Sequence, residues 1–165
     1  MSRRPDSAAF PDHDHNHGSC ETDLLDRAAR MFEAKGMKLT DLRRKVLAEI
    51  AGSHQALGAY DILERLAAKG QRLAPISVYR AIDALHETGL VHRLESRNAF
   101  FACHASHAPG RDQLILACDR CGRVAEMPGE QVFSAIDTLV EAASFEVRRT
   151  VTEISGTCSS CRIGH

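Results

Sequence analysis

Two pairs of cysteines have the spacing of a metal site. Two residues separate Cys118 from Cys121, and the same spacing recurs at Cys158 and Cys161 after 36 intervening residues. Two residues between thiolates direct both sulfurs to one ion, and two such pairs complete the closed tetrahedral site of structural zinc. A redox dithiol is the alternative for either pair taken alone. Together the pairs predict a structural zinc site that ties the C-terminal end of the chain to the preceding sheet.

A second group of potential ligands consists of His92, Cys103, His104, His107 and Glu126. One thiolate, one or two imidazoles and one carboxylate form a four-ligand set suited to zinc, and the thiolate argues against magnesium, calcium and manganese. For any single residue, a surface histidine or a buried structural cysteine is the simpler interpretation. As a set at a domain boundary, these residues predict a regulatory ion that favours one orientation of two domains.

Hydrophobic spacing and helix stop signals predict four helices in the first half of the chain. They begin at Thr22 or Asp23, at Thr40 or Asp41, at Ala59 and at Pro75, and a glycine ends each of them. Two short strands follow, at 90–94 and 99–103, around a turn at 95–98. Short helices followed by a small hairpin are the winged-helix pattern, in which the last helix enters the major groove of DNA.

The second half predicts a small α+β domain. Strands are expected at 114–117, 123–127 and 145–154, with a helix at 130–143 between the second and third. The apolar face of that helix contains Val132, Phe133, Ile136, Leu139 and Val140. The predicted organisation is a disordered His-containing tail (1–20), a winged-helix DNA-binding domain (21–103), a hinge loop (104–111) and a dimerisation and metal-binding domain (112–165).

Composition limits the class of protein. The chain has 165 residues, 44% of them hydrophobic and 26% charged, with a net charge of -1, which excludes a disordered acidic chain. No apolar run approaches the roughly 20 residues of a membrane span, and the polar start has no signal-peptide pattern. We therefore expect a cytoplasmic protein, in which cysteines are more often ligands than disulfides. Residues 35–97 hold 11 Lys and Arg against 7 Asp and Glu, a weak indication of a polyanionic partner.

The N-terminal tail carries further imidazoles. His13, His15 and His17, with Cys20 nearby, could form a weak third metal site. An inert flexible tail is an equally good interpretation.

The order of these motifs resembles that of the ferric uptake regulator superfamily of dimeric bacterial repressors, over roughly residues 22–165. The most specific stretches are Leu39-Thr-Asp-Leu-Arg43, Ala59-Tyr-Asp-Ile-Leu63, Ser77-Val-Tyr-Arg-Ala-Ile-Asp-Ala-Leu85, Gly89-Leu-Val-His92 and Cys118-Asp-Arg-Cys121-Gly122. The segment from Gly89 through Asn98 to Cys103 is similar to the zinc-uptake-regulator branch. The iron-sensing branch has a His-rich run before the first cysteine pair, where this chain has 111–117 without histidine.

The resemblance implies roles for individual residues. Cys118, Cys121, Cys158 and Cys161 match the structural zinc site, and His92, Cys103 and Glu126 match three regulatory ligands. The family pattern has a further His near Cys118, where this chain has Arg111, so His107 is assigned as the fourth ligand with His104 in reserve. Ser77, Tyr79 and Arg80 match the recognition helix, and Arg43 matches a position near the phosphate backbone.

These observations predict a zinc-responsive repressor that binds a palindromic operator as a homodimer, with two zinc ions per monomer and no membrane or small-molecule substrate. The same scaffold sensing iron, manganese, nickel or peroxide is the nearest alternative. A CxxC oxidoreductase or zinc hydrolase is a second alternative, but no open metal position with a general base and no thioredoxin-like setting is visible. A zinc-ribbon interaction module is a third, against which the winged-helix half argues.

Overall fold

The computed structural model describes residues 10, 17–103 and 113–163. The chain divides into two compact units, an N-terminal one within residues 17–103 and a C-terminal one within residues 113–163. In these described segments no helix combines the length and the apolar character needed to cross a bilayer.

The N-terminal unit is a winged helix, as predicted. Four helices, α1 (His17–Ala34), α2 (Asp41–Ala51), α3 (Ala59–Ala68) and α4 (Pro75–Glu87), precede a hairpin of β1 (Val91–Leu94) and β2 (Ala99–Ala102). The strands pair antiparallel around a 3-10 turn, and Asn98 closes this turn in the left-handed conformation at φ 48°. Leu57 adds one bridge to Phe100 at the other edge of the hairpin.

The first helix begins earlier than the sequence predicted. It starts at His17 rather than after a cap at Thr22 or Asp23, so residues 17–20, which were assigned to a disordered tail, are helical. No proline lies between residues 12 and 34 to stop a helix, and adding a turn to an anchored helix is inexpensive. Leu24, Ala28 and Phe32 provide that anchor because all three are buried.

The core of this unit lies between the helices and the hairpin. Aliphatic side chains at helical spacing fill it: Val46, Leu47, Ile50, Ile62, Leu66, Val78, Ile82, Leu85 and Leu90. The Thr40 hydroxyl caps α2 by accepting from the Arg43 amide at 3.4 Å, and Pro75 occupies the first turn of α4. Because Val78, Ile82 and Leu85 face this core, the opposite side of α4 is left for solvent, as predicted.

The C-terminal unit is a three-stranded sheet with one long helix. Strand β3 (Gln113–Cys118) is central, with β4 (Val124–Pro128) antiparallel on one side and β5 (Glu153–Gly156) parallel on the other. Helix α5 (Glu130–Ala142) makes the crossover between β4 and β5, and a short α6 (Ser159–Ile163) ends the described chain. The sequence did not predict α6.

The predicted strand at 145–154 is wrong over most of its length. After α5, Ser144 adopts φ 53° and residues 145–152 form no strand; pairing with β3 begins only at Glu153, opposite Ile115. Alternating side chains such as Val147 and Val151 mimic a strand, but a strand also needs a neighbour to pair with. The predicted apolar face of α5 is only partly internal, because Phe133 is buried whereas Leu139 is 71% exposed.

Gly129, at the start of α5, leaves no room for a side chain. A Cβ there would lie 2.5 Å from Cγ of Leu114, which is itself buried on β3. We expect Gly129→Ala to reduce the free energy of unfolding by about 1–3 kcal/mol through overpacking. Thermal unfolding checks this, with Gly156→Ala as the control because a Cβ at Gly156 has no neighbour within 4 Å. Equal losses of unfolding free energy in both variants would contradict the close contact between Gly129 and Leu114.

Candidate metal centres

The four cysteines of the two CxxC pairs converge in the C-terminal unit. Their sulfur atoms all lie within 4.8 Å of one another, and Sγ of Cys121 is 3.8 Å from Sγ of Cys158. Cys118 and Cys158 are buried, whereas Cys121 and Cys161 are partly exposed. The two pairs therefore form one cluster, as the spacing predicted.

The backbone explains why two distant pairs meet. Cys118 ends β3, and its amide donates to the Arg123 carbonyl at 2.9 Å across a tight turn in which Gly122 adopts φ 71°. The parallel pairing of β5 with β3 places Gly156 opposite Cys118, so the chain arrives beside the first pair just before Cys158. The α5 crossover thus accounts for the long separation between the pairs.

Hydrogen bonds among the four cysteines shift the pKa values of their thiols in opposite directions. Burial raises the pKa of Cys118, but hydrogen bonds from the backbone of Cys158, Cys121 and Arg120 outweigh it and lower that pKa to about 6. The pKa of Cys161 is raised to about 12, first because its side chain hydrogen-bonds to Cys158. Without a metal, the four sulfur atoms compete for the same protons. A metal cation that displaces these protons therefore binds favourably. Four thiolates at this separation fit zinc in a closed structural site.

Arg123 also belongs to this cluster, although sequence analysis had not selected it. It is 4% exposed and donates from Nε to Cys121 Sγ at 3.4 Å and from Nη2 to Cys158 Sγ at 3.3 Å. The hydrogen bond to Cys121 is the main cause that raises the Arg123 pKa. Its position directly after Cys118-Asp-Arg-Cys121-Gly122 was the available signal, since the turn carries the next side chain back toward the sulfurs.

In the N-terminal unit, the wing hairpin brings two of the predicted regulatory ligands together. His92 on β1 pairs with Phe101, and the Cys103 amide continues the ladder by donating to the Leu90 carbonyl at 3.0 Å. Alternation along β2 puts Phe101 and Cys103 on the face that carries His92. The ligand atoms of His92 and Cys103 lie within 4.8 Å of each other.

The environment of this pair favours the neutral imidazole that binds metals. Burial, and then the charges of His86 and Arg27, lower the pKa of His92. Arg27, on α1, also donates a hydrogen bond to the Cys103 carbonyl and so ties α1 to the end of β2. Sequence analysis had not selected Arg27.

Of the other predicted metal ligands, only some lie among the described residues. Glu126 lies on β4 in the C-terminal unit, opposite Ile115 on β3. His104 and His107 lie outside the described residues, as do His13 and His15 of the tail. His17 and Cys20 belong to α1.

The predicted DNA-contacting residues lie at the start of α4 and on α2. Tyr79 is 37% exposed and Arg80 is exposed, while Ser77 is half-buried. Arg43 makes contacts within its own unit: its guanidinium lies 5.3 Å from the centre of the Phe32 ring and donates to the Lys38 carbonyl at 2.5 Å. Arg43 therefore has a structural role whether or not it also meets a phosphate.

A winged helix followed by an α+β unit with a four-cysteine cluster is the architecture of one family of regulators. Residues 34–154 match the model of the ferric uptake regulator family, and the chain belongs to this family. It is 35% identical over 139 residues to the zinc uptake regulation protein of Escherichia coli K12, an alignment that covers 84% of this chain and 81% of that protein.

Two solved structures of zinc uptake regulators are also similar. A zinc uptake regulator complexed with zinc and DNA superposes with a TM-score of 0.82 at 34% identity, covering 87% of this chain and 96% of that one. Holo XcZur superposes with a TM-score of 0.77 at 32% identity, covering 87% of this chain and 99% of that one.

Proposed function

We propose that this protein is a zinc-responsive transcriptional repressor, acting in the cytoplasm on genes of zinc uptake. The observation that carries the proposal is the sulfur of Cys103 beside the imidazole of His92 in the wing hairpin. A sulfur ligand favours zinc over manganese strongly and over iron less strongly. The similarity to a zinc uptake regulator complexed with zinc and DNA supports the same sensed metal.

Two zinc ions per monomer follow from the two ligand sets. The four cysteines hold a structural ion, and His92, Cys103, Glu126 and His107 hold the regulatory ion, with His104 as the alternative fourth ligand. We assign 17–103, which includes the whole of α1, to the DNA-binding domain, 104–111 to a hinge loop and 112–165 to the dimerisation and metal-binding domain. The histidines of the tail remain a weak third site in this proposal.

The regulatory ion acts by selecting one conformation. Its ligands are drawn from both domains, so an ion bound to all of them stabilises one orientation of the winged helices in a dimer. In that orientation the two α4 helices match the half-sites of a palindrome. When zinc is scarce this mixed-ligand site empties before the four-thiolate site, and the repressor leaves its operator.

The homodimer is formed through the C-terminal unit. Leu139 on α5 is 71% exposed, Phe145 is 68% exposed and Ile154 on β5 is 48% exposed. Large apolar side chains with this much exposure support an association surface on the C-terminal unit. Strand β5 also lies at an edge of the three-stranded sheet, where a second copy can continue the pairing around a two-fold axis.

Arg80 supplies direct readout of the operator. Its exposed position on α4 suits a forked contact with guanine O6 and N7, worth about 1–3 kcal/mol of discrimination. We expect Arg80→Ala to weaken zinc-loaded operator binding by roughly 10- to 100-fold and to leave the zinc content unchanged. Fluorescence anisotropy with operator and scrambled duplexes measures the loss of discrimination.

The control for Arg80 is Arg148→Ala, which removes the same charge from an exposed position in the C-terminal unit. That variant should retain operator specificity. Operator affinity unchanged in Arg80→Ala would exclude the contact and weaken the assignment of α4 as the reading helix.

A further inference from the structure

We propose that Arg123 is a positioning residue of the four-cysteine zinc site: its guanidinium holds one sulfur of each cysteine pair and slows the loss of the bound ion. The inference rests on the structural zinc site proposed above and assigns a role to a side chain that is not itself a ligand.

The geometry is that of a fork across the two pairs. Nε of Arg123 contacts the sulfur of Cys121 at 3.4 Å, and Nη2 contacts the sulfur of Cys158 at 3.3 Å. Cys121 comes from the first pair and Cys158 from the second, so one rigid planar group sets the spacing between them. The Arg123 carbonyl accepts from the Cys118 amide at 2.9 Å, which fixes the backbone from which the fork extends.

Charge gives this fork a second effect. Four thiolates around one divalent ion carry excess negative charge, and two of these sulfurs belong to the buried Cys118 and Cys158. Excess charge in a buried site is costly unless it is paired and hydrogen-bonded. Arg123 is 4% exposed and permanently cationic, so it offsets part of that charge inside the protein.

Hydrogen bonds to metal-bound sulfur also lower its reactivity. A thiolate whose lone pairs accept N–H groups is less readily protonated or attacked, and partners of this kind typically change metal affinity by about 10- to 100-fold. Loss of zinc begins with detachment of one sulfur. The contacts to Cys121 and Cys158 therefore oppose the first step of release in both pairs.

The neighbouring Arg120 provides a matched control. It is exposed, and its Nη1 donates to the Cys161 carbonyl at 3.1 Å rather than to a sulfur. Arg120→Met removes the same charge from the same turn without removing a contact to sulfur. Arg123→Met removes both sulfur contacts and the charge, whereas Arg123→Lys keeps the charge but cannot fork.

The experiment uses the full-length chain with Cys103→Ser as background, so that the thiolate of the wing hairpin contributes no signal. The first readout is the sulfur-to-metal charge-transfer band after cobalt(II) replaces zinc. The second is the rate at which zinc passes to excess chelator, followed with a colorimetric zinc indicator.

In Arg123→Met we expect the cobalt band to move to longer wavelength and zinc release to accelerate by at least about tenfold. Arg123→Lys should be intermediate in both, and Arg120→Met should match the background within about twofold. A purely structural role for Arg123 would leave the band of folded protein in place.

A cobalt band and a release rate that stay unchanged in both Arg123 variants would overturn the inference. If Arg123→Met does not fold, Arg123→Lys alone tests the proposal, because it removes the forked contact and keeps the charge. A cobalt band and a zinc release rate equal to those of the background protein would then contradict the proposal. A background protein that holds neither zinc nor cobalt at the four cysteines would instead overturn the structural site itself, which is a separate failure.

Discussion

Replacing Cys103 by Ser should abolish zinc-dependent operator binding while leaving a folded dimer. A serine hydroxyl is nearly the size of a thiol but is a poor zinc ligand, so His92 loses its sulfur partner with little change in packing. At free zinc that saturates the natural protein, we expect operator affinity to fall by about a hundredfold or more. Anisotropy titrations at buffered zinc measure this, and far-ultraviolet circular dichroism reports the fold.

The matched control is Cys20→Ser, which removes a thiol on α1 that is assigned to neither principal zinc site. It should keep the full zinc response. An unfolded Cys103→Ser protein would mean that Cys103 is a packing residue, and a fully active one would mean that zinc is sensed elsewhere.

Removing the structural zinc should unfold the C-terminal unit and separate the dimer into monomers. Among the described residues, few apolar side chains are buried there: Leu114, Ala117, Val124, Ala125 and Phe133, together with Cys118 and Cys158. A core this small needs a metal, and structural zinc contributes about 10–16 kcal/mol in small metal-dependent folds. The N-terminal unit has a much larger core and should stay folded.

Cys158→Ser, or prolonged chelation, produces this state. We expect one fewer zinc per subunit, a monomer in analytical ultracentrifugation, and a partial loss of helix signal that leaves the N-terminal helices intact. Cys103→Ser is the internal comparison, because it should lose the regulatory zinc and remain dimeric. A zinc-stripped protein that stays dimeric with its full helix signal would show that the four-cysteine cluster is not what holds this unit together.

Much of the fold was predictable from local signals. Glycine stops, the capping Thr40 and the proline that opens α4 define helices whose apolar stripes agree with the buried core. The CxxC spacing predicted the cysteine cluster because two short knuckles can meet wherever a sheet returns the chain. The proximity of His92 and Cys103 was equally predictable, because a short hairpin turn sets the register of the two strands.

The predictions from sequence fail where contacts between distant segments determine the structure. The segment 145–154 alternates like a strand, but only Glu153–Gly156 runs beside β3. The sequence predicted the apolar face of α5 but not which part of it is buried, and Leu139 on that face is 71% exposed. Sequence analysis did not select Arg123, because one of its two sulfur partners, Cys158, reaches it only through the pairing of β5 with β3. The fourth regulatory ligand stays a prediction, because His107 lies outside the described residues.

Operator binding at buffered free zinc, with iron(II) and manganese(II) titrated in parallel, tests the central claim most directly. The operator is selected from random-sequence DNA by the protein with all three metals present, so that the selection favours none of them. We expect tight, salt-dependent binding that appears with zinc alone. A switch driven by iron or manganese would contradict the assignment of Cys103 to a zinc sensor, and DNA binding without any metal response would contradict the regulatory site altogether.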